Sequence, residues 1–156
     1  MSRRQARETA MQTLASLDIL GKLTTATAED AERIFSMAWG EQADYSPADT
    51  VYARELAEKT RANLAVIDEL LAAASRGWKI KRMATADRNL VRLAVCEMEF
   101  VEEVSASVAI SEAVELAKVY GTDDSPKFVN GILGAVSRRN RETPDKDGAA
   151  TEQKAK

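Results

Sequence analysis

Apolar residues along this chain recur at spacings of three and four, the period of a helix with one buried face. Ala6, Ala10, Leu14, Leu17 and Leu20 form the first such stripe. They predict a helix over residues 3–20, with Gly21 as its stop. A second helix is expected over residues 28–42, capped by Thr27, with Ala31, Ile34, Phe35, Ala38 and Trp39 inward. Ser46-Pro47-Ala48-Asp49 is a clear helix start: a capping hydroxyl, a proline at the first helical position, then an acid in the first turn. The helix it opens carries Tyr52, Leu56, Leu64, Ile67 and Leu71 on one side, weakens over residues 60–63 and ends near Gly77. Residues 78–84 read as a connector. Thr85 is expected to cap a helix over residues 86–101, with Leu90, Leu93, Ala94 and Met98 buried. Ser107 is expected to start another, striped by Ile110, Ala113, Val114, Ala117 and Tyr120 and stopped by Gly121. Ser125-Pro126 repeats the earlier start signal, before a last helix with Phe128, Val129, Ile132, Leu133 and Val136 inward. Gly131 and Gly134 weaken that helix and are expected where it packs very closely on a neighbour. No strand-like alternation of useful length occurs, so the expectation is an all-α protein of six to seven helices.

Composition adds two things to this pattern. With 156 residues the chain is long enough to bury one real core, and with aromatic residues at 5% that core must rest on aliphatics and alanine. The net charge of −3 argues weakly against a nucleic-acid partner, but it hides a banding. Residues 76–92 hold six basic groups against Asp87 alone, residues 127–141 hold four and no acid, and the first 22 residues are also net basic. The stretches between are strongly acidic. Three basic bands could assemble into one positive face, or could simply be solvated helix faces.

Chemistry is scarce. The chain has no histidine, the commonest general base and metal ligand. Its one cysteine, Cys96, lies in an apolar run where a small buried thiol is the ordinary reading, and it allows no intrachain disulfide. No phosphate-binding glycine loop is present, since Gly131 and Gly134 follow no strand. Asp123-Asp124 reads as a helix-start complement to the dipole rather than a metal site. A non-catalytic protein without cofactor or metal is expected, and with no signal peptide or membrane-length apolar stretch, a cytoplasmic one.

Two local features suit RNA. Arg3, Arg4 and Arg7 stand in the first turns of a helix, where the dipole disfavours positive charge but phosphate oxygens are well met. Equally, this could be a frayed, solubilising end with Arg4 paired to Glu8. Lys127, Phe128 and Asn130 open the last helix: a cation for phosphate, a ring for stacking, an amide for a base edge. Phe128 could instead be an ordinary core residue.

These segments resemble the NusB family. Residues 3–14 are similar to its arginine-rich first helix, residues 86–98 to its central helix, and residues 108–118 and 127–131 to its C-terminal signature, all in the family's order over residues 3–136. The resemblance implies an all-α fold of two small packed bundles, residues 1–77 and 78–141, followed by a disordered charged tail over residues 142–156. It implies a transcription antitermination factor that binds the single-stranded boxA element of nascent RNA jointly with the ribosomal protein NusE. That pair helps load a complex that keeps RNA polymerase transcribing, notably through rRNA operons. By matching position, the RNA surface would include Arg3, Arg4, Arg7, Arg92, Asp124, Lys127, Phe128 and Asn130, and the NusE-facing surface Asp87 and Glu97. Ala15 departs from the family, which often has tyrosine there. Some family members self-associate over the RNA site, so a homodimer stays open. So do two other readings: the NusB-like RNA-anchoring part of an rRNA methyltransferase, and a protein-interaction module with no RNA role.

Overall fold

Among the described residues of the computed structural model there are seven α-helices, α1 (Arg3–Ile19), α2 (Ala28–Trp39), α3 (Pro47–Ala62), α4 (Leu64–Ala74), α5 (Thr85–Phe100), α6 (Ala106–Tyr120) and α7 (Ser125–Glu142), and a 3₁₀ turn at Ile80–Arg82. It describes residues 3–39, 46–75 and 79–142, and among these there is no strand. The expectations for Gln42, Gly77, Trp78 and the tail beyond residue 142 fall outside the described residues.

The first stripe behaves as its spacing requires. Ala6, Ala10, Leu14 and Leu17 are fully buried, whereas Leu20 is 55% exposed because the helix has already closed at Ile19. Gly21 takes φ +70°, and the amides of Gly21 and Lys22 return to the carbonyls of Asp18 and Leu17 at 2.9 and 2.8 Å. That left-handed residue, costly for any side chain, satisfies the last carbonyls of α1. Thr27 caps α2 by accepting from the Asp30 amide at 3.0 Å. The Ser46 hydroxyl caps α3 by accepting from the Asp49 amide and donates back to the Asp49 carboxylate. The break expected over residues 60–63 falls at Asn63, which divides α3 from α4.

Three starts differ from their expected positions. Thr85 lies inside α5, whose cap position is Ala84. The α6 cap is Ser105, not Ser107, and its hydroxyl accepts from the Val108 amide at 3.1 Å. Ser125 belongs to α7 itself; the Asp124 carbonyl accepts from the Phe128 amide at 3.1 Å, so the helix begins one residue earlier. Only at Ser125 does a long-range contact replace the cap, since its hydroxyl is taken up by Asp87.

α5 is the axle. It packs against α1, α3, α4, α6 and α7, and Leu90 to Glu97 are buried without interruption. α1 also lies against α2 and α3, and α7 lies against α4 and α6. One apolar cluster, from Ala10 through Leu71 and Leu93 to Val136, joins both halves of the chain. Cys96 is fully buried in it, and burial pushes its thiol up from the ordinary range. Thiol reagents are expected to leave native protein untouched and to label it only in denaturant, and rapid labelling of the folded protein would contradict this burial. Among the described residues no helix is long and apolar enough to cross a membrane.

Candidate nucleic-acid interface

The arginines of α1 have three different fates. Arg3 is exposed, its guanidinium 4.1 Å from the centre of the Tyr52 ring. Arg4 is exposed and pairs bidentately with Glu112 at 2.9 and 3.0 Å, not with Glu8. That bond holds the Glu112 carboxyl below its ordinary range. Arg7 is only 5% exposed, and its Nε donates to both Glu97 oxygens at 2.8 Å. Glu97 is fully buried and also accepts a short hydrogen bond from the Tyr52 hydroxyl. Burial and this bond push the Tyr52 phenol well up. Arg7, expected to meet RNA, and Glu97, expected to face NusE, are thus paired with each other in the interior. Both are spent inside the protein, tying α1 to α3 and α5.

Arg92, expected on the RNA surface, is likewise engaged inside the protein. It is 7% exposed and grips Asp68 bidentately at 2.9 and 3.0 Å, with Asp18 and Asn89 at 3.3 Å. Arg88 joins Asp18 at 2.7 Å. Burial opposes the charged form of Asp18, but hydrogen bonds from Asn89 and Arg88 and the charges of Arg88 and Arg92 outweigh it, so its carboxyl sits below the usual range. A depressed folded pKa gives stability that is complete above the unfolded value of about 4 and is lost as pH falls through the folded one. The urea midpoint is therefore expected to fall as pH drops below about 4. The fall should be shallower in Asp18→Asn, and an identical acid limb would remove Asp18 from the linkage.

The start of α7 is different. Lys127 and Asn130 are exposed and Phe128 is half-buried, its inner side against the main core. Phe128 lines a cleft of about 320 Å³ with Arg82, Met83, Asp87, Asp124 and Ser125. The Ser125 hydroxyl accepts from the Thr122 amide at 2.9 Å and donates to Asp87 at 3.0 Å, while the other Asp87 oxygen is buried with no hydrogen-bond partner among the described residues. Gly121 permits this: a Cβ there would lie 2.3 Å from the Ser125 oxygen. Gly121→Ala is expected to push the hydroxyl away and reshape the cleft, visible as a chemical-shift change at the Asp87 and Phe128 amides. Unchanged shifts would mean the turn absorbs the methyl.

The structure thus brings Asp87, Asp124, Lys127, Phe128 and Asn130 together at one end of the molecule. Arg3, Arg4 and Arg7 lie at the other end of α5, beside Glu97. Glu97 stands ten positions after Asp87 on α5, about 15 Å along the axis. The three basic bands do not form one patch around Phe128. Sequence reading missed Arg82 and Arg138, exposed cations that line clefts with Phe128. The basic bands contained both, but nothing local distinguished them from their neighbours. Ala15 lines an apolar groove of about 560 Å³ with Met11, Ile19, Ile34, Met37 and Ala86, in which Ile19 and Met37 are more than 70% exposed.

Comparison with known proteins bears on this surface. The transcription antitermination protein NusB of Pelotomaculum thermopropionicum is 44% identical over 136 residues, 87% of this chain and 89% of that one. The structure of T. maritima NusB superposes with a TM-score of 0.77 at 33% identity, covering 88% of this chain and 92% of the other. A chain in the crystal structure of antitermination factors NusB and NusE in complex with dsRNA matches with a TM-score of 0.75 at 26% identity, over 88% and 96% of the two chains. A sequence model of the NusB family matches residues 4–138, from the exposed Arg4 to the cation beyond the Phe128 surface, and the chain belongs to that family.

Proposed function

We propose that this protein is a non-catalytic transcription antitermination factor that binds boxA-type single-stranded RNA together with ribosomal protein NusE and supports processive transcription, especially of rRNA operons. Its relatives carry the antitermination name, and a close structural neighbour is a NusB–NusE complex with RNA. One observation carries the reading onto particular residues: Phe128 stands half-buried at the start of α7, between exposed Lys127, Asn130 and Arg82. Cations meet phosphates, and a ring held by the core offers a stacking platform whose ordering cost is already met. Asp124 and Asp87 border the same cleft, where a carboxylate can accept from an exocyclic amine or from a protein donor. Arg3 and Arg4 would touch RNA only if the strand runs on along α5.

Asp87 remains the proposed NusE contact, and Ala86 next to it joins the apolar groove at Ala15. Charge reversal, Asp87→Lys, is expected to weaken NusE binding; unchanged affinity would take Asp87 out of the interface. The function itself is tested by titrating labelled boxA RNA and a scrambled control, each with and without NusE. Tighter binding of boxA than of the control, increased by NusE, is expected. Equal binding of both RNAs with NusE present would overturn the reading.

A further inference from the structure

Gly131 and Gly134 were expected where α7 packs closely on a neighbour, and the structure corrects this for both. Among the described residues, a Cβ at Gly131 would meet nothing within 4 Å, and one at Gly134 would meet only the end of the Arg138 side chain at 3.3 Å. Neither glycine takes a positive φ. A glycine inside an exposed helix face weakens the helix, so Gly131 is unexplained by packing and by backbone geometry alike. What it does is keep a space open. Gly131 lines a cleft of about 350 Å³ between the end of α4 and α7, with Ala74, Lys127, Phe128, Ala135 and Arg138. Phe128 is the wall shared by this cleft and the one at Asp87.

We propose that this cleft is a second nucleobase pocket: one base of a single strand packs on the Asp87 side of Phe128, another enters over Gly131, and Arg138 meets the intervening phosphate. The inference rests on the RNA reading above and deepens it. The volume falls within the range of about 300–1,000 Å³ common for small-ligand sites. The lining has what a base needs: an aromatic wall, a floor without side chains that lets the flat ring approach the backbone, and small alanines around it. The charge is complementary too. Lys127 and Arg138 are exposed, and neither has a salt bridge among the described residues. Among the described residues no carboxylate lines this cleft, in contrast to the one at Asp87.

The test exploits the empty space over Gly131. Gly131→Ala and Gly131→Leu fill the cleft while removing a helix-weakening residue, so the melting temperature is expected to stay or to rise by roughly 1–4 °C. Affinity for a fluorescein-labelled boxA RNA of about twelve nucleotides, a length within single-strand site sizes, is expected to fall in both. Leucine should do more, roughly ten-fold, as for the loss of one stacked base. Arg138→Ala, an exposed change expected to leave the melting temperature unchanged, should weaken the same RNA and reduce its salt slope by about one. Unchanged RNA affinity in folded Gly131→Leu and Arg138→Ala would overturn the second pocket, while a loss in Phe128→Ala would still uphold the parent reading. If folded Phe128→Ala also binds as the parent does, the RNA surface itself is wrong.

Discussion

Arg7→Ala is expected to cost about 3–5 kcal/mol of folding stability, measured as a lowered urea midpoint at unchanged slope. The physical reason is the partner left behind. Glu97 is fully buried, and without the guanidinium the Tyr52 hydroxyl is its one remaining hydrogen-bond partner among the described residues. Removing one member of a buried pair is far more damaging than replacing both, so Arg7→Met with Glu97→Leu should recover much of the loss. Arg4→Ala is the internal control, since that pair is exposed and should barely move the midpoint. The result also separates two roles for Arg7. A structural arginine leaves the salt slope of RNA binding unchanged in whatever fraction stays folded. A stable Arg7→Ala protein with a slope reduced by about one would return Arg7 to the RNA surface.

Phe128→Ala is expected to weaken RNA binding by about 1–3 kcal/mol for each base stacked on the ring, roughly 5- to 150-fold per base. Because Phe128 also packs against the main core, some loss of stability comes with it. Phe128→Leu separates the two contributions: it keeps apolar bulk and discards the aromatic face. Binding should fall in Phe128→Leu nearly as far as in Phe128→Ala, with most of the stability retained. RNA affinity intact in Phe128→Leu would show that the side chain serves the core and that stacking plays no part.

Much of the fold could be read from local pattern because the relevant physics is local. The stripe in α1, the Ser46-Pro47 start, the left-handed Gly21 and the break at Asn63 each depend on residues within a turn or two. Ser125 shows where that stops. Next to Pro126 its hydroxyl looked like a cap, yet it bridges Thr122 to Asp87, 38 positions earlier in the chain. The site follows the same division. Lys127, Phe128 and Asn130 were identifiable as a group because consecutive residues at one helix start must lie close together.

What the sequence alone determined is the helical architecture, the family and the chemistry available at the start of α7. Tertiary structure decided which cations are free to act. Arg7 and Arg92 look no different in sequence from Arg82 and Arg138, but the first two face Glu97, Asp18 and Asp68 across the core and the other two face solvent. A charge carries no record of its long-range partner. Whether it is neutralised indoors or presented to a ligand depends on carboxylates that for Arg7 lie ninety or more positions away, and only the folded chain brings those into contact.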